Sequence, residues 1–138
     1  MLELEQIISR LLVAAFLAGL LGLEREYRNK KAGMRTNMLV GLGSALAMIL
    51  SVSFTADPAR LAAGVLTGIG FLGAGLIIQS RGEVHGITTA ATIWVVAAIG
   101  MAAGLGYYTA AISAAVIVLM VLYIFGLPKI RNTLKLND

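Results

Sequence analysis

The residues with the most capacity for chemistry lie in two short polar stretches. The first, GLEREYRNKKAGMRTN at 22–37, sets the carboxylates Glu24 and Glu26 among Arg25, Arg28, Lys30, Lys31 and Arg35. Glu24 and Arg28 are four residues apart, so they become neighbours if the preceding helix continues through them. Two readings follow. One is a solvated basic loop whose surface ion pair is worth under about 1 kcal/mol. The other is a set of charges at a membrane boundary that become partners when buried against neighbouring helices. On the second reading Arg35 pairs with Glu24 or Glu26 through its guanidinium fork, and Thr36 caps the helix that follows.

The second stretch, RGEVHGITTAATIW at 81–94, carries Glu83, the only histidine, His85, and Thr88 and Thr89 at a helix start. A lone histidine in a loop is more often an ordinary polar residue than a metal ligand, and there is no second imidazole to share an ion. A hard cation would need three or more oxygens converging with Glu83, so no metal site and no cofactor is assigned. Cysteine is absent, which removes disulfides, thiolate sites and cysteine nucleophiles. There is no Gly-x-Ser-x-Gly, His-Glu-x-x-His or P-loop, and no aspartate inside an apolar run, so the chain does not read as an enzyme.

The elements that must position these residues follow from composition. The chain has 138 residues, 59% hydrophobic and 13% charged, with a mean hydropathy of +0.89. A soluble domain is about one quarter charged, so this is an integral membrane protein. Five apolar runs of bilayer-spanning length are expected, at Gln6 to Leu23, Asn37 to Phe54, Arg60 to Gln79, Ile87 to Gly104 and Thr109 to Leu127. The expected fold class is an all-α membrane protein forming one transmembrane domain over 1–138. Asp57 and Pro58 read as an N-cap and first helical residue for the third span, and Pro128 closes the fifth. Trp94 lies too deep for an interfacial belt and is expected to pack internally, whereas Tyr107 and Tyr108 suit the interface.

The third span is distinctive, since RLAAGVLTGIGFLGAGLIIQ contains five glycines. Gly64 and Gly68 form a GxxxG, and Gly70, Gly73 and Gly75 extend a surface without side chains. Such surfaces let helix backbones approach closely in lipid, so Gly64, Gly68 and Gly73 are expected to touch another helix.

Charge fixes an expected orientation. Nine of the eleven Lys and Arg residues fall on one side of the five spans, and only Arg10 and Arg60 on the other. By the positive-inside rule the N-terminus lies outside and the C-terminus in the cytoplasm. The same distribution explains the net charge of +4 without nucleic acid. Residues 19–48 and 72–101 also align without gaps, with seven identities in thirty pairs, among them Gly33 with Gly86 and Thr36 with Thr89. Two parallel helical hairpins, spans 1–2 and 3–4, are therefore expected, with a peripheral fifth helix.

Three runs, GLEREYRNKKAGMRTNMLV at 22–40, DPARLAAGVLTGIGFLGAGLII at 57–78 and GITTAATIWVVAAIGMAAGLGYY at 86–108, together resemble the membrane domain of the MgtC/SapB family. The resemblance covers nearly the whole chain. It implies a multi-pass protein of the bacterial inner membrane, a non-enzymatic regulator linked to growth under magnesium limitation and to virulence. It also implies possible partners: the membrane sector of the F-type ATP synthase, or further copies of the chain. An ion or solute transporter with a polar site at the repeat interface is the alternative. The family's polar motif positions map onto Glu24, Arg25, Glu26, Gly33, Arg35, Thr36, Asp57, Arg60, Thr88 and Thr89. Asn37, Gly64 and His85 depart from its usual pattern. Longer members carry a soluble regulatory module after the fifth helix, and this chain is expected to lack one.

Overall fold

A computed structural model describes residues 2–53, 57–80 and 83–127, with Ser80 and Glu83 described by backbone alone. Arg81, Lys129, Arg131 and Lys135, four of the basic residues used to orient the chain, and Pro128 lie outside the described residues. Five helices follow one another: α1 (Leu4–Tyr27), α2 (Met34–Ser53), α3 (Pro58–Leu76), α4 (Ile87–Gly104) and α5 (Tyr108–Phe125). Each is long and apolar enough to cross a bilayer. A short antiparallel hairpin, β1 (Ile78–Ser80) with β2 (Glu83–His85), joins α3 to α4 and pairs Ile78 with His85.

Helix α2 lies between α1 and α4, and α4 touches all four other helices. The reason is size. Gly41 of α2 faces Ala18 of α1 so closely that a Cβ built on it would sit 2.6 Å from the Ala18 Cβ. On the other side of α2, a Cβ on Gly100 would collide with the Gly41 carbonyl, and one on Gly104 would collide with the Ala45 carbonyl. Ala14, Ala18 and Gly22 in α1, Gly41 and Ala45 in α2, and Gly100 and Gly104 in α4 thus repeat every four residues along three touching ridges. In lipid the hydrophobic effect does not drive helices together, so close backbone packing of this kind supplies the attraction. Larger side chains, Leu21, Met48, Ile93, Val96 and Ile99, fill the spaces beside the ridges and are fully or almost fully buried.

The glycines of α3 behave otherwise. Only Gly73 meets a neighbour, with ordinary contact to Ala90 of α4 at 3.5 Å, while Gly64, Gly68, Gly70 and Gly75 have nothing within 4 Å of an added Cβ. The expected close contact at Gly64 and Gly68 is therefore not made among the described residues. Helix α3 leans on α4 and less extensively on α2, and leaves its glycine face open. Trp94 also differs from expectation, since it lies 45% exposed on the outer face of α4. Its indole is too large for a ridge built on Gly100 and Gly104, so it points away from it.

Helix ends depart from expectation where polar groups intervene. Helix α1 runs on to Tyr27, beyond the apolar run, and α2 starts at Met34, so Arg35 and Thr36 lie inside its first turn. Helix α3 stops at Leu76 because Ile77 is extended (ψ 121°) and leads into β1. The chain returns through Gly86, whose φ of +92° and tight approach to the Leu76 carbonyl both exclude a side chain. The cap expected at the start of α3 is formed, with the Asp57 carboxylate accepting from the Ala59 N–H at 3.0 Å ahead of Pro58. Helices α1 and α2 pack on one another, as do α3 and α4, and α5 lies outside against α4 and α1.

Two arginines of α1 hold other helices by their C-terminal carbonyls, which have no partner within their own helix. Arg10 donates to the Gly104 carbonyl at 2.9 Å, and Arg28 donates to the carbonyls of Gly126 and, at 3.2 Å, Tyr123. Both guanidinium groups sit at the negative end of a helix dipole. They fix the end of α4 beside the start of α1, and the end of α5 beside the end of α1.

Gly100→Ala is expected to lower stability in detergent by about 1–3 kcal/mol, because its methyl would push α2 from α4. Gly68→Ala is expected to leave the thermal unfolding midpoint unchanged or raise it, as alanine favours a helix where nothing is displaced. Equal losses for the two variants would show that α3, too, packs tightly within the chain.

Candidate functional site

The charged end of the bundle is built around the turn from α1 to α2. Helix α1 ends with Arg28 as its C-cap, and Asn29 follows with φ 53°, the left-handed conformation that asparagine tolerates. Ala32 is also left-handed, with φ 56°, which costs a residue with a Cβ about 1–2 kcal/mol. What holds it is Asn37. This fully buried side chain donates to the carbonyls of Ala32 at 2.6 Å and Gly33 at 2.9 Å, locking the turn onto the first turns of α2.

Each charged residue then has a definite place. Glu24 receives Arg28 Nε at 2.5 Å and lies 3.6 Å from Arg25 Nη1, so one carboxylate is shared by two guanidinium groups. Arg25 is 4% exposed, and Glu24 is largely shielded beside it. Removing either partner of such a pair costs more than the pair contributes, because a charge is left buried. Glu26 does something else: its carboxylate accepts from the Met34 N–H at 2.9 Å and caps α2. Gly33 makes this possible, since a Cβ there would stand 2.7 Å from the Glu26 oxygen.

The pairing expected between Arg35 and Glu24 or Glu26 is accordingly not formed. Arg35 and Thr36 are exposed, and they share with Glu26 a shallow depression of about 380 Å³ on one side of the turn. On the other side is a more enclosed cavity of about 170 Å³, lined by Arg25 at the end of α1, by Asn29, Lys30 and Lys31 of the turn, by His85 of β2 and Gly86, and by Thr88 and Thr89 at the start of α4. Thr89 is buried and Thr88 exposed, and Thr92 Oγ1 donates back to the Thr88 carbonyl at 2.7 Å. Asp57 and Arg60 stand apart, at the far end of α3, which at 19 residues is about 28 Å long. The nine candidate residues thus divide into an Arg25–Thr88–Thr89 group, a Glu26–Arg35–Thr36 group, a Glu24 ion pair, and the distant Asp57 and Arg60. Among the described residues no three acidic, histidine or cysteine side chains converge as a metal site.

Sequence reasoning read Arg10 only as a basic residue of the outer side and Asn37 only as a departure from the family pattern, and passed over the contribution of Lys30 and Lys31 to the cavity. Arg10 had a signal, as the single cation within the first apolar run. Asn37 had a weaker one, as an amide among the first residues of a helix.

Asn37→Ala is expected to destabilise by about 1–3 kcal/mol, since it releases two carbonyls from a turn already strained at Ala32, and Ala32→Gly should recover part of the loss. Arg35→Ala should change stability by no more than about 0.5 kcal/mol and be additive with Glu26→Gln in a double-mutant cycle. A coupling above about 0.5 kcal/mol in that cycle would restore the ion pair.

Comparison with known proteins agrees with this architecture. The MgtC family description matches residues 11–129. A relative from Escherichia coli K12 named "Putative magnesium transporter YhiD" is 47% identical over 130 residues, covering 87% of this chain and 60% of its own length. Protein MgtC of Salmonella typhimurium LT2 is 45% identical over 113 residues, covering 81% of this chain and 49% of its own, and Protein MgtC of Brucella abortus is 45% identical over 110. The chain spans about half to three fifths of the length of these relatives. No solved structure gives a significant match. Five apolar helices together with the matched residues establish that this multi-pass membrane chain belongs to the MgtC family.

Proposed function

We propose that this protein is a non-enzymatic regulator of the bacterial inner membrane, active when magnesium is limiting, that works by docking α3 against a membrane helix of another protein. The observation that carries the reading is the open glycine face of α3. Gly64, Gly68 and Gly75 share one side of this spanning helix, with Gly70 bare on another, and no atom of a neighbouring element among the described residues comes within 4 Å of a Cβ placed at any of them. Glycine in a helix is unfavourable by about 1 kcal/mol relative to alanine, so such a run needs a compensating contact. Beside it, between α2 and α3, lies an apolar groove of about 500 Å³ lined by Leu39, Val40, Gly43, Val65, Gly68 and Leu72, wide enough to receive side chains of an incoming helix. The membrane sector of the F-type ATP synthase is a partner of suitable chemistry, an assembly of apolar helices.

The alternative is a small oligomeric transporter of ions or solutes. The name given to YhiD favours it, as does the buried charge of Arg25 and Glu24. In either case the nine-to-two division of basic residues supports an orientation with the N-terminus outside and the C-terminus in the cytoplasm.

Purification from native membranes separates the readings. A regulator is expected to bring down a foreign membrane protein in stoichiometric amount, and Gly68→Leu, at a position where an added Cβ has nothing within 4 Å among the described residues, should abolish that capture while the fold survives. A symmetric homo-oligomer with a polar central path and no foreign partner would replace the regulator with the transporter. For orientation, a reporter active only in the periplasm should give signal when fused at Asp57 or Tyr108 and none at Lys31. Signal at Lys31 would reverse the topology.

A further inference from the structure

The polar depression beside Arg35 and the apolar groove between α2 and α3 have one residue in common. Thr36 lines both, so a surface of charged groups passes there into a surface of hydrocarbon. We infer that this joined site binds one phospholipid with a zwitterionic, ammonium-bearing headgroup: its phosphate lies at Arg35, its ammonium at Glu26, and one acyl chain in the groove. Docking of α3 is not required for it, since the lipid occupies the groove when no partner helix has sent side chains there.

The charges in the depression are unlike and unjoined. Arg35 is exposed and lines the same depression as Glu26, yet among the described residues no ion pair forms between them. Glu26 gives one oxygen, Oε2, to the Met34 N–H at 2.9 Å, and a carboxylate has further acceptor sites on the other. Lys30, also in the lining, has a partner of its own. A guanidinium presents a planar fork of donors that suits phosphate oxygens, and a primary ammonium carries three donors that suit a carboxylate. A headgroup holding both charges therefore bridges two groups that the fold keeps apart. A purely anionic headgroup would satisfy Arg35 but would meet like charge at Glu26.

The groove suits an acyl chain in both length and breadth. On α2 it runs from Thr36 to Ser44, a rise of about 12 Å, against about 15 Å for half the hydrocarbon core of a bilayer. It thus lies within one leaflet and begins at the level of the charged groups. Its volume of about 500 Å³ over that length gives a cross-section of about 40 Å², well below that of a helix about 10–12 Å across. Gly43 and Gly68 stand on its two walls and give it depth, because a Cβ on either has nothing within 4 Å among the described residues.

The test uses the full chain, delipidated in neutral detergent, with dioctanoyl phosphatidylethanolamine and dioctanoyl phosphatidylglycerol as probes, each counted by native mass spectrometry. One saturable site is expected for the ethanolamine lipid, about fivefold tighter than for the glycerol lipid, the worth of one exposed ion pair. Arg35→Ala should weaken the ethanolamine lipid about tenfold, through lost charge-assisted hydrogen bonds to phosphate. Glu26→Gln keeps a side-chain carbonyl for the Met34 N–H, so the cap survives and the preference between the two lipids should disappear. A merely structural role for Glu26 would leave that ratio unchanged. Gly43→Leu, which fills the groove, should abolish saturable binding of both lipids, and the two charge variants carry the test if it does not fold. No saturable binding, equal or tighter binding of the glycerol lipid by the unaltered chain, an unchanged ratio in Glu26→Gln, or full binding by Gly43→Leu would each overturn the assignment. Because no second protein is present, failed capture from native membranes would strike the docking of α3 and leave this result standing.

Discussion

The contact on which this structure depends is the approach of three backbones at Gly41. Helix α2 reaches α1 there because Gly41 and Ala18 leave no side-chain volume between them, and it reaches α4 because Gly100 lies against the Gly41 carbonyl. The same spacing, four residues further along, brings Gly104 against Ala45. In a bilayer such contact gains dispersion energy that lipid tails cannot match. With α1, α2 and α4 set, Leu21, Met48, Ile93, Val96 and Ile99 are buried between the helices, and α3 and α5 pack on the outside.

Polar groups finish what the ridges begin. Arg10 and Arg28 sit near opposite ends of α1, and each closes the carbonyl end of another helix, α4 in one case and α5 in the other. Burial of these cations is tolerable because the acceptors are carbonyls that would otherwise be unsatisfied in an apolar medium. Glu26 and Asn37 work in the same manner at the α1–α2 turn, one capping α2 and the other holding the carbonyls of Ala32 and Gly33. Several charges that would pass as surface decoration therefore form part of the frame. Arg35, which has the chemistry for such a role, is exposed instead because Glu26 is already committed to an amide.

The internal alignment illustrates how equal sequence acquires unequal surroundings. Gly33 and Gly86 both stand immediately before a helix, as their alignment suggests. Gly22 and Gly75 are likewise equivalent in sequence, yet a Cβ on Gly22 would sit 2.6 Å from the Met34 Cα while one on Gly75 would have nothing within 4 Å among the described residues. The first pair of helices is joined by a tight turn and the second by a β-hairpin, which alters how each helix leans on its neighbour.

Five spanning helices, their order, the Asp57 cap and the candidate polar stretches were legible in the sequence, because length, hydropathy and local cap chemistry depend on neighbours along the chain. Glu24 and Arg28 were legible for the same reason, since a four-residue separation on a helix is a distance in space. Which glycines touch was not legible. The densest glycine run, on α3, is largely open, while Gly100 and Gly104 of α4 and Gly41 of α2 lie against neighbouring backbones, and this depends on which faces the rest of the bundle turns inward. The cavity was hidden likewise: Arg25 and Thr89 are separated by nearly half of the chain, and only the packing of α4 beside the α1–α2 turn puts them together. Local patterns determine what each segment is; the matching of side-chain volumes between segments decides where it goes, and that matching exists only in the folded chain.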